Sequence, residues 1–86
     1  MKIFKYRIKE TDYQEIEMPE GAVILSIQNQ YGNLQMWAKV DESRRLLTRR
    51  FRIIGTGNHF NDEGLTYIDT VKQDGYVWHI FEEERR

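Results

Sequence analysis

The chain has 86 residues, no cysteine and only one proline. Without cysteine it can form neither a disulfide nor a thiolate zinc site, and a cysteine nucleophile is excluded as well. A domain of this size buries only about 60–65% of the surface of its unfolded chain, so its core is small. We therefore expect sheet pairing and self-association to supply the missing stability, and we predict a homo-oligomer in sedimentation or scattering.

The sequence also lacks long apolar runs and a strong net charge. No stretch approaches the roughly 20 apolar residues of a membrane-spanning helix, and the start, MKIFKYRIKE, is unlike a signal peptide. Lys and Arg number 13 and Asp and Glu 14, which gives a formal net charge of -1. That balance argues against long nucleic acids, which bind broad basic surfaces. We expect one soluble, cytoplasmic, β-rich domain over residues 1–86 with no membrane association and no cofactor.

Apolar and polar residues alternate with period two along most of the chain. Phe4, Tyr6 and Ile8, for example, share one face of the first segment, which is the pattern of a half-buried strand. Asp74 and Gly75 form the strongest short-range hairpin signal. The pattern predicts an all-β, single-domain antiparallel meander or sandwich of about seven strands. The predicted strands cover residues 2–9, 13–18, 22–30, 34–40, 47–54, 65–72 and 76–81.

The common catalytic motifs are missing from the sequence. It has no GxSxG elbow, no GxxxxGK[ST] phosphate loop and no HExxH zinc pair. His59 and His79 are twenty residues apart, and His79 reads most simply as a half-buried strand histidine beside Trp78. Glu15 and Glu17 fit a solvated strand face. We therefore expect a non-enzymatic protein with no catalytic residues and no metal site, and the alternative is a small hydrolase or nuclease using the histidines.

A loop rich in glycine follows the fifth predicted strand and is the first candidate ligand site. Two glycines spaced by one residue allow backbone N–H groups to turn inward as an anion nest. The neighbouring hydroxyl, amide and imidazole groups add hydrogen-bond donors, and a phenyl ring offers a stacking face. An ordinary structural turn is the alternative, since GxG without a following helix is common in β-turns. The ligand-binding candidates of this loop are Gly55, Thr56, Gly57, Asn58, His59 and Phe60.

Five arginines lie within residues 44–52, and no acidic residue interrupts them. Guanidinium groups match phosphate oxygens bidentately, and their planes stack on bases. Arg50 and Arg52 share one face of the strand that leads into the glycine loop, so we predict that both pair with phosphates. The alternatives are a solvated strand face and ion pairs with glutamates of the second strand or of the C-terminal tail.

Trp37 is an additional candidate because it stands on the otherwise polar face of its predicted strand. An exposed tryptophan in such a place indicates a partner surface or a pocket wall. A small sheet with open edges offers further surface for a second chain. We therefore count Trp37 among the ligand-binding candidates, with a role in protein–protein contact as the alternative.

The order of several motifs resembles a family of small proteins from tailed bacteriophages and prophages. The motifs are PEGAVILSIQ (P-x-G-A-x-I-L-S-x-Q), a Trp-Ala pair, FRIIGTG (F-x-I-x-G-T-G), YIDTV and the terminal VWHIFE (V-W-H-x-F-E). They cover most of the chain. The resemblance implies a phage origin, a compact β-rich fold and a location in the host cytoplasm, and it brings no catalytic residues with it.

Phages encode small anti-defence proteins that act as sponges, binding host immune nucleotide signals without cleaving them. By this analogy the sequence predicts a binding protein for a small anionic nucleotide, such as a cyclic dinucleotide or a cyclic ADP-ribose derivative. In that reading Arg50 and Arg52 pair with phosphates, and Trp37 or Phe60 stacks on a base. The alternative is a protein–protein interaction module that inhibits a host protein or serves phage assembly.

Overall fold

The structure, a computed structural model, describes residues 1–84 and contains seven antiparallel strands. Their ends agree with the predicted segments to within two residues, which confirms the all-β fold and the number of strands. Residues 1–84 include no helix that is long and apolar enough to cross a membrane. The strands are β1 (Lys2–Ile8), β2 (Tyr13–Pro19), β3 (Val23–Gln30), β4 (Asn33–Val40), β5 (Leu46–Gly55), β6 (Leu65–Gln73) and β7 (Tyr76–Glu83).

The strands form two sheets, so the order differs from a simple meander. One sheet has the order β1-β4-β3 and the other β2-β5-β7-β6. β1 and β2 are consecutive in sequence yet belong to different sheets. Between them the Gln14 side chain accepts the Lys9 N–H at 2.9 Å and donates to the Lys9 carbonyl at 2.7 Å. It satisfies the backbone where the chain crosses from one sheet to the other.

Both sheets contribute their inner faces to a single hydrophobic core. On β4 the alternation places Met36, Ala38 and Val40 inside, all fully buried. From the other sheet Phe51 and Ile80 pack into the same cluster and are equally buried. Burial of an aliphatic or aromatic side chain of this size stabilises the fold by about 1.5–3 kcal/mol. The core therefore fixes which side chains of each strand point outward.

The two sheets meet along β3 and β6, where side chains bond to the backbone of the opposite strand. An Asp69 carboxylate oxygen accepts the N–H of Ile27 at 2.9 Å. The Asn29 side-chain amide donates to the carbonyl of Lys72 at 3.2 Å. Both strands also carry a register shift in this region. These contacts cover sheet edges that would otherwise offer unpaired backbone groups to other chains.

We expect Asp69→Ala to lower the free energy of unfolding by about 1–3 kcal/mol, because the Ile27 N–H then loses its acceptor at a partly buried site. Urea denaturation measures the change. Asp62→Ala, in the exposed loop, is the matched control and should shift stability by less than about 0.5 kcal/mol. Equal effects of the two substitutions would contradict this role for Asp69.

Candidate functional site

The loop between β5 and β6 folds over the outer face of the four-stranded sheet. On that face Ile54 of β5 lies opposite His79 of β7, and Arg52 lies opposite Phe81. Phe60 of the loop packs on Phe81, with ring centroids 5.2 Å apart. The loop covers Ile54 so well that this outward-facing side chain is only 7% exposed. Loop and sheet together therefore enclose a concave site on the outside of the domain.

A pocket of about 300 Å³ opens between the loop and the sheet, and its wall is mostly apolar. Ligand pockets are commonly apolar with a few placed polar groups, and this volume is at the lower end of their range. It suits one planar ring system. Ile54, His79 and Phe81 form the strand side of the pocket. The loop side is formed by Gly55, Thr56, Gly57, Asn58 and Phe60.

His79 sits between two threonine hydroxyls on the outer face. Its Nε2 lies 2.7 Å from Oγ1 of Thr56, and its Nδ1 lies 3.1 Å from Oγ1 of Thr70. The Tyr67 hydroxyl extends this hydrogen-bond network, because it lies 2.6 Å from Oγ1 of Thr70. A neutral imidazole has one donor and one acceptor nitrogen, so two hydroxyls satisfy it in either tautomer. His79 is half-buried, as the sequence indicated, and it fixes the Thr56 hydroxyl at the pocket wall.

The glycine loop uses much of its own backbone to close a turn. The Asn58 N–H donates to the Gly55 carbonyl at 3.1 Å, and the Thr56 N–H donates to the Val77 carbonyl at 3.3 Å. Gly57 has φ +89°, a left-handed value that closes such a turn and that suits glycine. Of the predicted anion nest, formed by the N–H groups of Gly55, Thr56 and Gly57, the Thr56 N–H is therefore already donated within the fold. We therefore expect the side chains of this loop, more than its backbone, to contact a ligand.

Arg50 lies in an acidic environment outside the pocket. Its Nε donates to Oε2 of Glu15 at 3.0 Å. Hydrogen bonding to Tyr13 and to this carboxylate raises the pKa of the guanidinium. The depression beside it is bordered by Glu83 and Glu84. A phosphate placed at Arg50 would meet these carboxylates, so its position matches the ion-pair alternative better than a phosphate-binding role.

Arg52 is not part of the pocket wall, but it is the direct cross-strand neighbour of the wall residue Phe81. Its Nε donates to the carbonyl of Asp12 at 3.0 Å, which fixes the base of the guanidinium group. Among residues 1–84 it forms no ion pair. Of the two predicted phosphate ligands, Arg52 is therefore the one that has no acidic partner among residues 1–84 and that has a pocket residue as its cross-strand neighbour.

Two other predicted site residues lie away from the pocket. His59 is exposed in the loop and is not part of the pocket wall. Trp37 lies on the outer face of the three-stranded sheet, between Lys5 and Ser26 on the neighbouring strands. Because β4 and β5 belong to different sheets, Trp37 and the glycine loop are on different faces. Phe60 is thus the predicted stacking residue that the fold brings to the pocket.

Arg49 has a structural role that distinguishes it from its neighbours. Its Nε and Nη2 bind the two carboxylate oxygens of Glu82 at 2.6 and 2.7 Å, and its Nη1 donates to the Ala22 carbonyl at 2.7 Å. The Arg49 and Glu82 side chains are only 9% and 13% exposed. The alternation along β5 signals this difference, since Arg49 has the inward parity of Phe51.

A second cleft, of about 400 Å³, lies on the other side of the same loop. Tyr76 and Trp78 border it and stack on each other, with ring centroids 5.4 Å apart and planes 16° from parallel. The Trp78 Nε1–H also donates to Gln73 at 2.9 Å. Each of these two rings covers one face of the other, whereas Phe60 and Phe81 are in contact at a tilt of 44°.

These observations define a small two-sheet all-β domain with a loop-covered aromatic pocket on the outside of one sheet. In the part of the chain that the structure describes, no three His, Asp or Glu side chains are grouped to hold a metal ion. The chain belongs to a family described as a domain of unknown function (DUF7352), which it matches over residues 1–86. It has no significant match among curated proteins or among solved structures.

Proposed function

We propose that this protein is a non-enzymatic binding protein whose loop pocket takes the base of a small nucleotide. One observation carries the proposal: the wall of a mostly apolar, aromatic pocket includes Phe81, and the direct cross-strand neighbour of Phe81 is Arg52, a cation without an acidic partner among residues 1–84. A planar ring with an attached phosphate matches both parts. A purely apolar ligand would leave Arg52 unused, and a bare anion would leave the pocket unused.

The pocket side of the proposal rests on Phe60 and Phe81, which provide aromatic surface on two walls. Stacking of a base on an aromatic side chain contributes about 1–3 kcal/mol and tolerates different bases. The Thr56 hydroxyl and the Asn58 side chain offer hydrogen bonds at the same wall. They would orient the polar edge of the base, while one of its faces contacts the ring surface of Phe60 or Phe81.

The phosphate side rests on Arg52. Residues directly opposite on neighbouring antiparallel strands have Cβ atoms about 4.5–5.5 Å apart, so the Arg52 side chain starts close to Phe81. Its Nε bonds to the Asp12 carbonyl, and its terminal nitrogens would bind a phosphate that extends from the pocket. A guanidinium–phosphate contact is a charge-assisted hydrogen bond, often bidentate. The carboxylates around Arg50 repel anions beyond this point. The site therefore suits a ligand with few phosphates.

The resemblance to small phage proteins supports a more specific form of the proposal. In that setting the protein would sequester a host immune nucleotide, of the cyclic dinucleotide or cyclic ADP-ribose type, in the host cytoplasm. A pocket of about 300 Å³ holds one ring system, so a cyclic dinucleotide would engage two chains. The self-association expected from the size of the chain would bring two such pockets together.

Calorimetric titration tests this function with a panel of adenosine and guanosine monophosphates, cyclic dinucleotides and cyclic ADP-ribose. We expect at least one member to bind with a Kd below about 100 μM, and Phe60→Ala to weaken that binding about tenfold or more. The ligand recovered after incubation should be chemically intact. Absence of binding to every member would reject the ligand class, and conversion of the ligand would reject the non-enzymatic assignment.

A further inference from the structure

The outer face of the three-stranded sheet presents apolar side chains to solvent. Ile3, Val23 and Leu25 are 62%, 49% and 51% exposed. Trp37 lies half-buried among them. Single exposed apolar residues are ordinary on a protein surface, but a contiguous group of them marks an interaction site. These four side chains, here named the Trp37 face, stand apart from the nucleotide pocket because they belong to the other sheet.

The strand register makes the Trp37 face continuous. Lys39 of β4 lies between Ile3 of β1 and Val23 of β3. In the next row of the sheet, Trp37 lies opposite a β-bulge of β3 that contains Leu25 and Ser26. Rows on one face of a strand are about 7 Å apart, and opposite Cβ atoms are about 5 Å apart. Neighbouring side chains on this face are therefore within contact distance.

All charged residues within the three strands of this sheet are basic. The strands β1, β3 and β4 contain none of the 14 acidic residues of the chain. Lys5, Arg7 and Lys39 occupy outward positions. Arg7 is paired with Glu10 at the rim, whereas Lys39 forms no ion pair within residues 1–84. In a chain whose total charge is -1, this is a marked local separation of charge.

From this combination we infer that the Trp37 face docks an acidic protein segment that carries large apolar side chains. Carboxylates of the segment would pair with Lys39 and Lys5, and its apolar side chains would cover Ile3, Val23 and Trp37. Complementary charge across an interface speeds association and disfavours wrong partners. An aromatic anchor at the centre of such a patch commonly contributes most of the binding energy.

Two other occupants fit the Trp37 face less well. A second copy packed face to face would bring Lys5 and Lys39 of both copies into one interface, and like charges there oppose binding. Single-stranded nucleic acid needs successive aromatic platforms along a basic groove, but this face offers one indole among aliphatic side chains. An acidic, apolar peptide satisfies both the charge and the aliphatic surface.

Selection from a displayed library of random peptides, about 12 residues long, tests this inference on the intact chain. We expect the enriched peptides to combine Asp or Glu with large apolar residues. Binding of a selected peptide should fall about tenfold or more in Lys39→Glu and in Trp37→Ala, and it should weaken as salt increases. Lys72→Glu makes the same charge change on the other sheet and should alter binding less than about twofold.

Several results would overturn the inference. Enriched peptides without acidic residues, or binding that Lys39→Glu leaves unchanged, would remove the charge argument. An oligothymidylate of about 15 nucleotides that binds through Trp37 and Lys39 would reassign the face to nucleic acid. A dimer in sedimentation that Trp37→Ala dissociates would reassign it to a second copy. Circular dichroism of each variant distinguishes loss of binding from loss of folding. We expect both variants to fold, because Trp37 and Lys39 lie on an outer face.

Discussion

Replacing Arg49 by methionine is expected to lower the free energy of unfolding by about 3–5 kcal/mol. The substitution leaves the Glu82 carboxylate, which is 13% exposed, without its bidentate partner. It also removes the donor to the Ala22 carbonyl. A buried charge that loses its partner costs far more than a surface charge, because water no longer solvates it. Urea denaturation of the two proteins measures the difference.

Arg50→Met on the same strand is the matched control. Its ion pair with Glu15 is about half exposed on both sides, and such pairs contribute about 0–1 kcal/mol. A double variant, Arg49→Met with Glu82→Leu, should recover most of the loss because it removes both charges. If Arg49→Met costs no more than Arg50→Met, the buried ion pair does not stabilise this fold as argued.

Arg52→Gln is expected to weaken nucleotide binding about 10-fold to 100-fold. A hydrogen bond to a charged group contributes about 1.5–3 kcal/mol, and 1.4 kcal/mol corresponds to a factor of ten. The glutamine side chain is polar and neutral, so the substitution keeps a hydrogen-bonding group but shortens the side chain and removes the charge. Calorimetry with the tightest nucleotide of the panel measures the effect, and the thermal unfolding curve should move little because the side chain lies on the outer face.

Arg50→Gln is the control for this prediction, since Arg50 is paired with Glu15 and lies beyond the part of β5 that pairs with β7 beside the pocket. Its affinity for the same nucleotide should stay within about twofold of the parent protein. The two arginines differ by two positions on one strand and share a face, so the comparison tests location rather than charge. A larger loss in Arg50→Gln than in Arg52→Gln would move the phosphate site to the acidic depression and refute the proposed geometry.

Period-two alternation was enough to predict the strands of this protein. The inward set on β4 is fully buried, as its spacing requires, and Arg50 and Arg52 do share an outer face. The partner of each strand was not predictable in the same way. β1 and β2 are separated by a short turn that is typical of a hairpin, yet they enter different sheets through the Gln14 contacts with Lys9.

Because strand pairing was not predictable from the sequence, the residues that meet at the candidate site also differ from those predicted. The sequence indicated that Trp37 and the glycine loop form one site, but that requires β4 and β5 to share a sheet. It did not identify Phe81 as a pocket residue, because only the β5–β7 register places it opposite Arg52. The burial of Arg49 was readable from its parity with Phe51, but its partner Glu82 lies 33 residues away. Long-range pairing thus decides which of the polar residues meet.

Amide chemical-shift mapping by NMR, with adenosine or guanosine monophosphate added to the intact chain, tests the pocket assignment most directly. We expect the largest shifts at residues 55–60 and 79–81, with a smaller response at Arg52. We expect no response at Lys5, Trp37 or Lys39, which belong to the other sheet. Shifts confined to those three residues, or no shifts at millimolar nucleotide, would contradict a nucleotide site under the glycine loop.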